Sequence, residues 1–525
     1  MSLIRNAVRC AIAAAAAGAA ANSASALDIS TYNAATAVNV YLSGSTAVDN
    51  TLVNAAIETA APGGLCQAGT VDIYYIGTTG SYSNRMIFCT GSASSGVSGS
   101  PLAIYKESTA GSQNGVTPLY TAASGGLSGL SFINPTLITD AACNGADGGA
   151  VAANGNFGAY TNHSSCPAAD VTANVIPTAG FADVEPKILK TVTGGPVNST
   201  LAGTYLKSGP TLDQIWAVAL TKNAYYALQA AEGYASPSDA PANAPSLSKE
   251  DVAGLISGNI FNWNDLGLNP VDTSVYICRR DFGSGTEASF EAYFLGERCS
   301  FSSETVPPED AATTWANASG GAMRTCLQHM YAGGTQTAYY SSASHTFPAG
   351  NQYAIGFLND EITLKNLTGA SDSFRLVAVD GVGPTVANVQ NGYYPYFSTG
   401  LYFQIKTGTG VPSGNPATAA TNLLKLLGHP QFTHDSNAGY NGGLPWSPTL
   451  SIGDSSPAPL YAASNPPTIP ATSATAAANP TNAYTKNQSG SINNCDTPVW
   501  DSGDLEGVQT TTVEKNLLGT GQVND

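Results

Sequence analysis

The sequence predicts an α/β protein built of two large lobes with insertions, rather than a β-sandwich or a helical bundle. Three observations carry this. Short β-rich runs alternate with helical stretches across residues 38–430, and a strand that ends in a Gly/Ser/Thr turn and opens a helix recurs along the chain. At 525 residues, with 43% hydrophobic and 10% charged, the chain is far longer than one small module and can bury a sizeable core.

Residues 1–26 hold Arg5 and Arg9, an Ala-rich apolar run over 11–21 and the small-residue site Ala24-Ser25-Ala26, the layout of a secretory signal peptide. The apolar run is about half the ~20 residues that a spanning helix needs. Arg9 before Cys10 is wrong for a lipid-anchored start, so the expectation is an unanchored periplasmic or secreted protein with no membrane span. Strands are expected at 38–42, 71–76, 102–105, 215–220, 274–278 and 401–405, and helices at 48–59, 249–257, 287–294 and 417–427. The Gly/Ala/Asn-rich stretch 119–177, with Cys143 and Cys166, reads as a disulfide-stapled insertion that decorates the first lobe. Residues 455–488 have the Pro/Ala/Thr/Ser composition of a linker, and the end of the chain is expected to dock back through Cys495 and Trp500.

Without Cys10, eight of the nine cysteines remain, an even number that suits disulfides in an exported chain. None are spaced as zinc ligands, and no metal or cofactor is called for. The expected pairs are Cys66–Cys89, Cys143–Cys166, Cys299–Cys326 and Cys278–Cys495. The 19 Lys and Arg against 36 Asp and Glu give a net charge of -17, which argues against nucleic-acid and anionic-membrane partners. An anionic ligand would have to be captured by local dipoles and one or two well-placed cations.

The strongest local signal is Cys278-Arg279-Arg280-Asp281-Phe282-Gly283-Ser284-Gly285-Thr286, a strand running into a turn that opens a helix. Such a turn aims backbone N–H groups and the positive end of a helix at one point, where an oxyanion can be held. An arginine adds a fork that matches two of its oxygens. Ser43-Gly44-Ser45-Thr46 and Gly111-Ser112-Gln113-Asn114-Gly115 repeat the arrangement. Each turn alone reads equally as helix capping; three together suggest convergence on one anion across a cleft.

These turns, with Phe181-Ala182-Asp183-Val184-Glu185-Pro186, the run from Leu247 through Ile260-Phe261-Asn262-Trp263-Asn264-Asp265-Leu266, Ala354-Ile355-Gly356-Phe357 and Asp380-Gly381-Val382-Gly383-Pro384-Thr385, resemble the periplasmic phosphate-binding proteins of ABC transporters over about 38–430. The resemblance implies a two-lobed, hinged periplasmic-binding-protein-like fold that closes on inorganic phosphate and passes it to an ABC permease. It implies a first lobe over 27–217 that resumes at 371–454, a second lobe over 218–370, and an extension over 455–525. The implied ligand contacts are Ser45, Thr46, Ser112 and Asp183 from one lobe and Arg280, Asp281, Ser284, Gly285 and Thr286 from the other.

The family pattern is Arg-x-Asp-Gly-Ser-Gly-Thr, and here Phe282 stands where it has aspartate. Either Arg280 keeps its place with Asp281 displaced by one, or Arg279 and Asp281 keep their spacing and Phe282 bulges out. Asp183 is the expected selectivity residue, with Asp281 second: a carboxylate facing an oxyanion is repulsive unless the ligand brings a proton, as monohydrogen phosphate does and sulfate does not.

Two other classes compete. A phosphatase-type hydrolase could use Ser284, but no Gly-x-Ser-x-Gly elbow or His-Glu-x-x-His is present, and His163, His329, His345, His429 and His434 lie in turn-rich or helical contexts. A secreted assembly protein on the same fold would account for the long Pro/Ala/Thr tail.

Overall fold

The computed structural model describes residues 27–427, apart from 60–62, 79–80, 147, 240–242, 300–304, 351, 360–372, 385–387 and 390–392, together with 449–452 and parts of 481–500. The expected signal peptide, His429, His434 and most of the linker lie outside the described residues.

In the first lobe, β1 (Val38–Gly44) buries Val38, Val40 and Leu42 and leaves Asn39 and Tyr41 only partly covered, the alternation expected of a strand with one core face. It is flanked in the sheet by β4 (Pro101–Glu107), parallel to it, and is followed by α1 (Asp49–Ile57). β2 (Asp72–Thr78) and β3 (Ser81–Thr90) extend the sheet beyond β4 as antiparallel strands. α2 (Thr117–Ala123) starts directly after the 111–115 turn.

The stapled stretch does more than decorate the fold. Its strands Gly149–Val151 (β5) and Tyr160–His163 (β6) continue the sheet through β2, and its beginning is helix α2 in the lobe's own core. β7 (Ala179–Ala182) pairs parallel to β1 on the other side and ends directly before Asp183.

The two halves share one long strand, β8 (Leu206–Thr221), where a strand was expected only over its last third. In the second lobe, β9 (Val275–Arg280) is buried along its whole length, as a central parallel strand must be. It lies between β10 (Thr314–Asn317) and β11 (Tyr353–Asn359). β12 (Phe374–Leu376) pairs with the end of β8, and Phe374, Leu376, Tyr394 and Tyr396 all sit in second-lobe cores. β13 (Phe397–Ile405) then pairs with β7 of the first lobe. The sheet path runs β10-β9-β11-β8-β13-β7-β1-β4-β3-β2-β6-β5. β8 pairs with β13 up to Ile215 and with β11 from Trp216 onward, so one strand carries the chain from lobe to lobe.

Helix α3 (Lys249–Ser257) has the bounds that the sequence predicts. Ser248 and Asp251 form a reciprocal capping box at its start, and Gly258 in a left-handed conformation ends it. α4 (Gly285–Phe290) runs on into a wider turn over Glu291–Leu295, which covers the helix expected at 287–294. α5 (Gly320–Ala332) packs on the second-lobe sheet, and α6 (Gly414–Leu427) on the first. No helix among the described residues is long and apolar enough to cross a membrane.

Cys66–Cys89 and Cys143–Cys166 form as expected, and the other two pairs are corrected to Cys278–Cys326 and Cys299–Cys495. The cause is packing. Cys278 shares a core with Met323, Cys326 and Leu327 of α5, which brings the two Cα atoms to 6.0 Å, whereas Cys299 lies beyond α4 in the cluster that the returning tail joins. Spacing along the chain carries no record of which helix covers which face.

Gly44 ends β1 at φ +99°, and a Cβ there would meet the carbonyl oxygen of Phe181 and lie 2.5 Å from the Gly115 Cα. Both the left-handed conformation and the backbone-to-backbone contact exclude a side chain. Gly44→Ala is expected to lower unfolding stability by on the order of 2–4 kcal/mol, read as a drop in Tm. An unchanged Tm would mean that this junction is looser than described.

Candidate functional site

The sequence places Ser45, Ser112 and Asp183 at the ends of three different segments, and the fold brings them together. The Asp183 carboxylate accepts hydrogen bonds from both hydroxyls: Ser45 on Oδ1, and Ser112 on Oδ2 at 2.9 Å. The Asp183 N–H donates back to Ser112 Oγ at 3.0 Å. Asp183 and both serines are buried. Thr46 follows Ser45 at the head of a short 3-10 turn and is partly exposed.

The second lobe meets this cluster through the turn before α4. The Gln113 N–H donates to the Gly283 carbonyl at 3.1 Å, and a Cβ on Gly285 would lie 2.5 Å from Asp183 Oδ2. Glycine is thus what lets the first turn of α4 reach the carboxylate of the other lobe. Ser284 caps α4 by accepting from the Glu287 N–H, and the first backbone bond of the turn runs from Ala288 N–H to the Ser284 carbonyl. The N–H groups of Gly285 and Thr286 precede it, where a helix has no internal acceptors for them.

The two arginines take opposite faces, because successive side chains of a strand point to opposite sides. Arg279 Nη2 lies 2.6 Å from Glu287 Oε1 and 3.5 Å from Glu291 Oε1, and its Nη1 donates to the carbonyl of Pro307 at 2.7 Å. It is spent on a buried network behind the turn, with Arg298 and Lys190 also on Glu291.

Arg280 takes the other face. Its Nε donates to the Asn317 carbonyl at 3.1 Å, its Nη2 to that of Ala318 at 3.1 Å, and its Nη1 to Thr286 Oγ1 at 3.5 Å. These bonds use three of a guanidinium's five N–H donors. Asp281 sits 3.9 Å from Arg280 Nη2 and accepts the Gly283 N–H at 2.9 Å, bracing both the arginine and the turn. Phe282 faces away from this cluster; its ring lies 4.6 Å from the Arg279 guanidinium carbon and 5.5 Å from the Tyr340 ring.

Burial raises the Asp183 carboxyl above its ordinary value, opposed by the two serine hydroxyls and by the positive charges of Arg280 and Lys106. A carboxylate with raised proton affinity is a strong acceptor for a hydroxyl on a bound anion. Burial likewise raises Asp281, against Arg280.

Two residues escaped the sequence reading. Lys106 Nζ donates to the Gly44 carbonyl at 2.8 Å and pairs with Asp49 at 3.2 Å, fixing the turn that presents Ser45. Glu107 accepts from Thr109 N–H at 2.8 Å and from Asn114 Nδ2 at 3.3 Å, fixing the turn that presents Ser112. The available signal was two charged residues ending an apolar strand directly before a glycine-rich turn.

No group of three or more His, Cys, Asp or Glu among the described residues could hold a metal. His163 is stacked on Tyr74 at 4.5 Å between Asp72 and Asp140, His329 pairs with Gln336, and His345 lies on a hairpin.

Fold and site together define a two-lobed α/β protein with a polar cluster where the lobes meet. Residues 233–426 match the family model of the PBP superfamily domain, so the resemblance drawn from the motifs is borne out at that level. Among solved structures, one described as a candidate phosphate ABC transporter substrate-binding protein with bound phosphate from Clostridium perfringens is 18% identical, covering 50% of this chain and 78% of that one with a TM-score of 0.32. An ABC-type phosphate transport receptor from Vibrio cholerae is 15% identical over 48% and 74%, with a TM-score of 0.27. A phosphate-binding protein from Stenotrophomonas maltophilia is 15% identical over 49% and 69%, with a TM-score of 0.29. No curated protein matches the chain significantly.

Burial pushes the Glu107 carboxyl up to about 7, against Lys106, Thr109 and Asn114. The folded state then holds this proton more tightly than the unfolded chain, so stability from this group is present below the unfolded value and lost as pH rises toward 7. Glu107→Gln is expected to flatten that loss, about 3 kcal/mol between about pH 5 and about pH 8 at 1.36 kcal/mol per unit. Urea unfolding at the two pH values checks it, and an unaltered slope would remove Glu107 as the source.

Proposed function

We propose that this chain is an extracytoplasmic solute-binding protein that captures inorganic phosphate, as the monohydrogen anion, between its two lobes and delivers it to an ABC-type permease. The observation that carries this reading is the meeting of Asp183, Ser45 and Ser112 from one lobe with the Gly283-Ser284-Gly285-Thr286 turn and Arg280 of the other. One of the solved structures named above is described with bound phosphate and the other two as a phosphate transport receptor and a phosphate-binding protein, and the same ligand class suits this chemistry.

In this reading the Gly285 and Thr286 N–H groups, the Thr46 and Ser284 hydroxyls and the remaining Arg280 donors face the phosphoryl oxygens. The ligand's own hydroxyl donates to Asp183. Asp281 holds the turn and Arg280 rather than the ligand. Thr46 and the serines contribute hydrogen bonds only in this reading, and the described histidines contact other groups, His163 on Tyr74, His329 on Gln336 and His345 on Phe347. Export through the residue 1–26 segment belongs to the same proposal.

Arg280→Ala is expected to weaken phosphate binding by on the order of 2–5 kcal/mol in calorimetric titration, with Arg279→Ala acting on stability instead. Affinity retained in Arg280→Ala would point to a different cation. Asp183→Asn should lower the preference for phosphate over sulfate by 10-fold or more, on the order seen for sites that lose a matched acceptor; unchanged selectivity would refute its role. A purified protein that hydrolyses phosphomonoesters, with turnover lost in Ser284→Ala, would replace the binding reading by the hydrolase one.

A further inference from the structure

The tail residues Asn493, Asn494 and Cys495 lie outside the stretch that carries the family resemblance, yet they reach the site. Asn494 is buried. Its backbone N–H donates to Glu185 Oε1 at 3.1 Å, and its Nδ2 donates to Glu185 Oε2 at 2.7 Å and to the Thr399 carbonyl at 3.2 Å. Its Oδ1 accepts the Thr399 N–H at 2.8 Å. A single side chain thereby fills the polar positions between β13 and the turn that carries Asp183 two residues before Glu185. Asn493 adds a contact to Lys187 at 3.0 Å.

All of these partners belong to the first lobe. The next residue, Cys495, is bonded to Cys299, which follows α4 in the second lobe, across 196 residues of sequence. The same seam holds Lys190 of the first lobe against Glu291 and Glu297 of the second at 3.6 and 2.6 Å, and Arg298 against the Ile188 carbonyl at 3.1 Å.

We infer that residues 493–495 are a strap: Asn494 fixes the Asp183–Glu185 turn of the first lobe, and the Cys299–Cys495 bond ties that turn to the second lobe, so that the tail limits cleft opening and sets the rate at which the bound anion leaves. The inference rests on the phosphate reading for its ligand, but the tie itself is independent of any ligand. Noncovalent contacts along the seam can break and re-form as lobes part, whereas the disulfide cannot, and separation then requires Asn494 to leave its buried position. Neither Asn494 nor Cys495 touches the anion; both act as positioning residues through Glu185 and α4.

The test compares wild-type protein with Asn494→Ala, the double variant Cys299→Ser/Cys495→Ser, and the conservative Glu185→Gln, which keeps an acceptor for Asn494 Nδ2. Stopped-flow release of inorganic phosphate is expected to be about tenfold faster in Asn494→Ala and in the double variant with association unchanged, and close to wild type in Glu185→Gln. Hydrogen exchange without phosphate is expected to show the amides of 183–185 losing protection in the first two variants only. Wild-type release rates and wild-type protection in Asn494→Ala overturn the strap, and that variant retains all four disulfides, so misfolding of the double variant does not obscure the result. If wild-type protein binds no phosphate, the phosphate-binding reading fails, and the exchange measurement alone decides for or against the strap.

Discussion

A single carboxylate at the junction of two lobes is the constraint on which the rest depends. Asp183 is buried, and a buried carboxylate is tolerated only when its lone pairs are satisfied and cations stand near. Ser45 and Ser112 supply the hydrogen bonds and Arg280 and Lys106 the field, so four separate segments are positioned by the needs of one group. The glycines at 44 and 285 follow from the same demand, because the backbones must approach closer than any side chain allows.

The protein's net charge makes the local arrangement more informative. A chain at -17 repels anions at long range, and only short-range donors can overcome that. The two adjacent arginines divide the work along the alternation of β9. Arg279 pairs with Glu287 and Glu291, while Arg280 is delivered to the side where α4 begins. Removing either would leave buried charge unpaired, but the consequences fall on different properties.

The disulfides show what linear spacing can and cannot carry. Cys66–Cys89 and Cys143–Cys166 staple neighbouring strands and loops, so their partners are near in sequence as well as in space. Cys278 and Cys299 lie at the two ends of one turn-and-helix unit and face different layers, and their partners depend on which helix or tail packs over each layer. The same holds for Asn494, a residue in a polar, irregular stretch that nothing local distinguishes.

The sequence by itself determined the local units: strands with one or two buried faces, the capping box of α3, and glycine-rich turns whose chemistry suits an oxyanion. These follow from side-chain periodicity and backbone conformational preference within about ten residues of each position. The tertiary structure alone decided which arginine faces the cluster, which partners Cys278 and Cys299 take, how far β8 extends, and that Lys106, Glu107 and Asn494 support the site. Those outcomes depend on contacts between segments up to several hundred residues apart, and such contacts are fixed by how complete layers pack, an arrangement that no short window of sequence encodes.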